Sequence, residues 1–165
     1  MRTARVRNAL GSALFLVVAP GVVAGLVPWW LTGWKSGATR APLQVIGALL
    51  IVAGAVVLLD AFVRFVVEGL GTPAPVAPPE RLVVGGLYRY VRNPMYLAVG
   101  AIIVGQALLL ARSILLFYAA AFAVVVLAFV RLYEEPTLAR EFGAEYENYC
   151  RAVPGWWPRL RPWRS

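Results

Sequence analysis

Four long stretches without a charge constrain this chain more than anything else in it. No Asp, Glu, Lys or Arg occurs in residues 8–34, 41–59, 93–111 or 113–130, runs of 27, 19, 19 and 18 residues. A helix that crosses a bilayer needs about 20 apolar residues, within a range of about 17–25. The runs are continuously apolar rather than alternating, which excludes membrane strands. The expected fold is an all-α membrane protein with about four transmembrane helices plus a C-terminal cytoplasmic amphipathic helix, in one integral-membrane domain over residues 1–165. Composition agrees: 61% of the residues are hydrophobic, against about 45–50% in soluble domains. The mean hydropathy of +0.72 argues against a soluble enzyme and excludes a disordered chain.

The first run follows Arg2, Arg5 and Arg7 and so has the opening of a signal peptide. It is too long for such a core and ends in Trp29-Trp30, an interfacial pair, so a retained helix is expected. Pro20 and Pro28 are expected to kink it. Orientation follows from the basic residues. The N-terminus, the second loop and the tail from Arg131 onward hold twelve of them, and the other two loops hold three. Both termini and the second loop are therefore expected on the cytoplasmic side of the cell membrane. The third loop is only Ala111-Arg112-Ser113, which makes helices three and four a tight antiparallel hairpin.

Sixteen basic residues against eight acidic give a formal charge of +8. The basic residues flank apolar runs rather than forming one stripe, so anionic membrane lipids fit them better than nucleic acid does. The chain has no histidine, which removes the commonest general base and the commonest metal ligand. With Cys150 alone there is no intrachain disulfide and no zinc cluster. Neither a metal nor a nucleic-acid partner is expected.

Three segments on the cytoplasmic side carry more information. Residues 71–79 hold four prolines in seven positions and should run extended. Residues 85–96 read Gly-Gly-Leu-Tyr-Arg-Tyr-Val-Arg-Asn-Pro-Met-Tyr, with Asn93 placed as N-cap and Pro94 in the first turn of helix three. From Glu134-Glu135-Pro136 onward the pattern is an amphipathic helix with Leu138, Phe142, Tyr146, Tyr149 and Val153 on one face. The tail from Pro154 to Arg164 mixes tryptophan with arginine, which suits a headgroup layer.

These segments resemble the isoprenylcysteine carboxyl methyltransferase and phosphatidylethanolamine N-methyltransferase superfamily of membrane methyltransferases, and its small bacterial members most of all. The resemblance covers a motif-bearing core at residues 71–158. It rests on Gly-Thr-Pro-Ala-Pro at 71–75, on Tyr88 to Tyr96, and on Tyr133-Glu134-Glu135 followed by Phe142-Gly143-x-x-Tyr146-x-x-Tyr149. It implies a pocket for S-adenosyl-L-methionine between the hairpin and the C-terminal segment, open to the cytoplasm, with a lipid-like acceptor entering from the bilayer. The superfamily's Arg-His-Pro-x-Tyr reads Arg92-Asn93-Pro94-Met95-Tyr96 here. Asparagine does not titrate, which puts a proton-carrying role at that position in question. Ala98 also stands where glycine is frequent.

The resemblance implies cofactor binding by Tyr88, Tyr90, Arg92, Asn93, Tyr96, Glu134 and Glu135. Arginine suits the cofactor carboxylate, which favours Arg92. Glutamate suits the ammonium or the ribose hydroxyls, and tyrosine rings suit the adenine or the sulfonium. The catalytic candidates are Glu135 and Arg92. A carboxylate acceptor needs no base, whereas an amine or a thiol gains from one. Without histidine, only Asp60, a glutamate, a tyrosine or Cys150 can serve, and Glu135 is preferred. The structural alternatives are open at several positions. Glu134 and Glu135 also suit a helix first turn. Asp60, Arg64 and Glu68, spaced i, i+4, i+8, either pair along one face or line the site's mouth. Gln106 is expected in an interhelical hydrogen bond, Tyr146 and Tyr149 in packing, and Cys150 as a bystander. The competing function is a non-catalytic multi-pass membrane protein, a subunit or a small transporter. A transporter would show internal repeats, and none is visible.

Overall fold

The computed structural model describes residues 18–38, 40–69 and 81–164. The described residues are helical and contain no strand. Five helices follow one another: α1 (Val18–Thr32), α2 (Ala41–Gly69), α3 (Pro94–Leu110), α4 (Ile114–Phe142) and α5 (Ala144–Ala152). A short tight helical turn, Gly86–Arg89, precedes α3. Arg2, Arg5 and Arg7, the proline-rich stretch 71–79 and the side chain of Glu68 lie outside the described residues.

Two of the helices are long and apolar enough to cross a membrane, α2 over Ala41–Arg64 and α4 over Ile114–Phe142. Only 22% and 17% of their apolar windows are buried within the protein. They turn Leu49, Val52, Phe117, Val124 and Val125 outward. A soluble core helix does the reverse, so these faces call for an apolar surround. The described part of α1 and the 17-residue α3 are apolar but shorter.

The central contact joins α2 and α3, and glycine makes it. A Cβ on Gly47 would lie 2.6 Å from the Gly105 carbonyl oxygen and from the Leu109 nitrogen. One on Gly105 would lie 2.7 Å from the Gly47 oxygen, and one on Gly54 2.8 Å from the Ala98 oxygen. The two backbones therefore touch. In an apolar surround this is an effective way to hold helices together, because van der Waals contact replaces the missing hydrophobic drive. Leu58, Ala98, Val99 and Ile103 form the core beside it, with Tyr118 and Phe122 of α4 packed against them.

α1 contains a widened turn just before Pro28. Residues Val22–Leu26 form a π-helical turn, and the Val27 N–H bonds to the Val22 carbonyl. Pro28 has no N–H to give. The carbonyls of Val23 and Ala24 are thus left open inside an apolar bundle. The Tyr118 hydroxyl donates to Val23 at 2.7 Å, and Gln106 Nε2 donates to Ala24 at 2.6 Å. Gln106 makes the interhelical bond its position promised.

α3 and α4 form the expected hairpin. Ala111 turns it in the left-handed region at φ 51°. The first loop is tied to this turn by Gly37 N–H to the Leu110 carbonyl, 2.8 Å, and by Arg112 Nε to the Lys35 carbonyl, 2.9 Å. The helix expected to begin at Glu134 does not begin there. α4 runs through Glu134 to Phe142, and Gly143, at φ 51° and ψ −124°, breaks the chain before α5. The expected apolar face survives the break: Tyr146, Tyr149 and Val153 are buried together, with Leu138 and Phe142 against them.

Candidate functional site

The segment between the Gly86 turn and α3 is held from two sides. Gly86 has φ +54°, which L side chains rarely adopt. Tyr88 is buried beside Ala61 and Val83. The other side is the tail after α5, which lies along residues 89–93. Arg92 N–H donates to the Pro154 carbonyl, Arg159 N–H to Tyr90 and Trp163 N–H to Arg89, each at 3.0 Å. Arg89 Nε donates to the Trp163 carbonyl at 2.6 Å, and the Tyr149 hydroxyl donates to the Tyr88 carbonyl at 2.6 Å. Asn93 is at the N-cap position of α3, but its side chain caps nothing there. Its Nδ2 donates to the Gly155 carbonyl at 3.1 Å, so it tethers the tail.

The glutamates arrive from α4 through a second π-helical turn, Val130–Glu134, with the Glu135 N–H bonded to the Val130 carbonyl. π-turns of this kind recur at functional sites. Pro136 follows and again contributes no N–H. Both glutamates, though adjacent in sequence, reach the 92–96 segment. Arg92 Nη1 donates to Glu135 Oε1 at 2.9 Å, and the Tyr96 hydroxyl donates to Glu134 Oε2 at 2.8 Å. Arg92 Nη1 also lies 3.3 Å from the Tyr146 hydroxyl and 2.9 Å from Cys150 Sγ. One nitrogen with two hydrogens thus faces three acceptors. Arg92 Nε is buried and has no hydrogen-bond partner among the described residues.

Burial alone would lower the pKa of the Arg92 guanidinium, but Cys150, Tyr146 and Glu135 outweigh it and raise the value. Arg92 is a fixed positive charge. Tyr146 is pushed up by burial and by Cys150, with Arg92 pulling the other way. Burial likewise raises Tyr149. Both phenols are neutral at ordinary pH.

Tyr88, Arg92, Asn93, Glu134 and Glu135 line one cavity, together with Tyr146 and Tyr149. Its volume is about 60 Å³, whereas sites for ligands of cofactor size run to about 300–1,000 Å³. The donor set suits S-adenosyl-L-methionine: a guanidinium for a carboxylate, carboxylates for an ammonium or a ribose, and aromatic faces for a sulfonium. The room does not. No group of acidic or cysteine side chains able to hold a metal occurs among the described residues.

Of the residues singled out from sequence, the cavity brings together all but Tyr90 and Tyr96. Tyr96 joins the set through Glu134. Tyr90 faces a separate groove beside Asp60 and Arg64. Two residues were underrated. Cys150, read as a bystander, accepts from Arg92. Tyr146 packs as expected and also meets the guanidinium. The signal for both was the helical spacing: Tyr146 and Cys150 stand i, i+4 on one face of α5 and point at the same atom. Gly155 carried no signal. A Cβ there would lie 3.2 Å from Arg92 Nη2.

A family model described as PEMT, phospholipid methyltransferase, matches residues 43–145. The matched stretch runs from α2 to the start of α5 and includes Arg92, Tyr96, Glu134 and Glu135. No curated protein and no solved structure matches the chain.

Proposed function

The chain belongs to the phospholipid methyltransferase family, and from that premise we propose that it transfers a methyl group from S-adenosyl-L-methionine to a lipid-like or amphipathic acceptor at the cytoplasmic face of the cell membrane. The observation that carries this reading is the pairing of Arg92 with Glu135 and of Tyr96 with Glu134. Two distant motifs meet there in one polar cluster at the end of the helical hairpin. The reading includes four membrane crossings, with α1 and α3 as the shorter two, and both termini in the cytoplasm.

In this mechanism the cofactor supplies a methyl group on a sulfonium, released by in-line displacement, a reaction governed mainly by positioning. Arg92 would hold the cofactor carboxylate, with Asn93 and the tail fixing the backbone from which Arg92 projects. Glu134 or Glu135 would receive the ammonium or the ribose hydroxyls, and Tyr88 and Tyr96 would face the adenine or the sulfonium. Arg92 and Glu135 satisfy each other before the cofactor arrives, so both side chains exchange a partner within the chain for one on the ligand. Glu135 is the base for an amine or thiol acceptor; for a carboxylate acceptor it only orients.

The test is calorimetric titration of the detergent-purified chain with S-adenosyl-L-methionine, beside Arg92→Ala and Glu135→Gln. Binding that weakens in both variants supports the reading. The small cavity favours a second reading, a non-catalytic membrane subunit in which the Arg92 cluster is only a structural clasp. A folded protein that binds no cofactor at millimolar concentration would establish that reading instead.

A further inference from the structure

Asp60 is a carboxylate in an apolar helix. It lies within the span Ala41–Arg64 of α2, is partly buried, and its side chain has no hydrogen bond or ion pair to any described residue. Ionisable side chains in such helices are rare and generally face a functional cavity. Asp60 faces an open groove of about 630 Å³, within the range of ligand sites. The groove shares no lining residue with the Arg92 cavity. Both abut the same chain segment, with Arg89 and Tyr90 lining the groove and Tyr88 and Arg92 the cavity.

The lining is ordered along α2. Val56 and Val57 come first, then Asp60, then Arg64 one helical turn further on, with Arg89 across from them on the 86–89 turn. Arg64 runs against Gly86, where a Cβ would stand 2.8 Å from its Nε. A side chain at this position would displace the arginine from the groove's edge. Read from the apolar part of α2 toward this end, the wall presents hydrocarbon, then an acceptor of cations, then the guanidinium of Arg64, with that of Arg89 on the opposite side.

We propose that this groove binds an amphiphilic amine whose ammonium group follows directly on its apolar chain, with any anionic group lying beyond the ammonium. Asp60 takes the ammonium, Arg64 and Arg89 take the anion, and Val56 and Val57 take the chain. A head group of the phosphoethanolamine kind has the opposite order, with its phosphate between chain and amine, and fits the wall less well. The assignment does not depend on methyl transfer.

The experiment uses the whole chain in a neutral detergent. Three probes of equal chain length are titrated: a long-chain alkylamine, the corresponding long-chain alpha-amino acid, and the fatty alcohol. The amine and the amino acid should bind about tenfold more tightly than the alcohol, the order expected of a charge-assisted contact. Asp60→Asn, close to isosteric, should abolish that preference with the melting temperature unchanged. Val56→Trp should weaken all three probes alike. Equal binding of amine and alcohol by the unaltered chain, or a preference that survives in Asp60→Asn, overturns the proposal. Titration with S-adenosyl-L-methionine alongside separates the two readings: its failure with the amine preference intact removes the methyltransferase mechanism and leaves the groove. Methylation of the bound amine would identify it as the acceptor. Binding without methylation would identify a lipid docked beside the site.

Discussion

Arg92 and Glu135, 43 residues apart in the chain, meet at 2.9 Å with the arginine side chain only 18% exposed. A partly buried pair is weakly screened, and the loss of one partner leaves the other with an unpaired charge. Arg92 is also bounded by Cys150, Tyr146 and Gly155, so its planar head is fixed in direction as well as in charge.

Arg92→Lys keeps the charge and loses the fork. It should lower methyl transfer by about 10–100-fold, the equivalent of one charge-assisted hydrogen bond, with little change in melting temperature. A radiolabelled transfer assay beside a detergent melt checks both halves.

Gly155→Ala adds one methyl group where Arg92 Nη2 stands 3.2 Å away. The guanidinium has to yield by a few tenths of an ångström, and near-attack geometry is sensitive to shifts of that size. Cofactor affinity should fall severalfold in titration while the helices keep their circular dichroism.

Tyr96→Phe removes the hydroxyl that donates to Glu134. A partly buried carboxylate then lacks its donor, at a cost of about 1–3 kcal/mol. The melting temperature in detergent should fall, and Glu134→Gln combined with Tyr96→Phe should fall by less than the sum of the two single changes.

Tyr149 supplies an alkaline test. Its folded pKa lies above the ordinary value of 10.0 because of burial, and only the neutral phenol can donate to the Tyr88 carbonyl. The protonated form is favoured by the fold, so this stabilisation is complete below about pH 10, the ordinary tyrosine value, and is lost as pH rises toward the folded pKa. Tyrosinate absorbance should appear late in an alkaline titration, together with loosening of α5 from the Gly86–Arg89 turn. Tyr149→Phe should lose this bond between α5 and the Gly86–Arg89 turn at neutral pH already.

Gly105→Ala places a methyl group 2.7 Å from the Gly47 carbonyl oxygen. Neither backbone can move aside cheaply, and overpacking of this kind costs about 1–3 kcal/mol. The measurement is resistance to unfolding in a denaturing detergent; Gly100→Ala, where the nearest atom is 3.9 Å away, is the matched control.

The sequence discloses much of this, and the limits have physical causes. The hairpin could be read because Arg112 interrupts an otherwise charge-free stretch and three residues suffice to turn. Arg92, Glu134 and Glu135 could be read because charge is scarce in this chain and its position conspicuous. The glycine contact between α2 and α3 was missed, although Gly47 and Gly54 stand seven apart on one face. A residue without a side chain leaves no hydrophobic pattern to detect. The break at Gly143 was missed because the apolar spacing continues across it. The role of Cys150 depends on where a guanidinium from another element ends up, and no local pattern encodes that.

The tail's bonds also impose an order on synthesis. Asn93 waits 62 residues for its partner Gly155, and Arg92 waits as long for the Pro154 carbonyl. A nascent chain that has reached Phe142 already has its hairpin and both glutamates. Its arginine still lacks the thiol, the phenol and the backbone that aim it. The residues of the helical hairpin are therefore synthesised before those that complete the polar cluster, and the cluster cannot close until the chain has been made through Gly155.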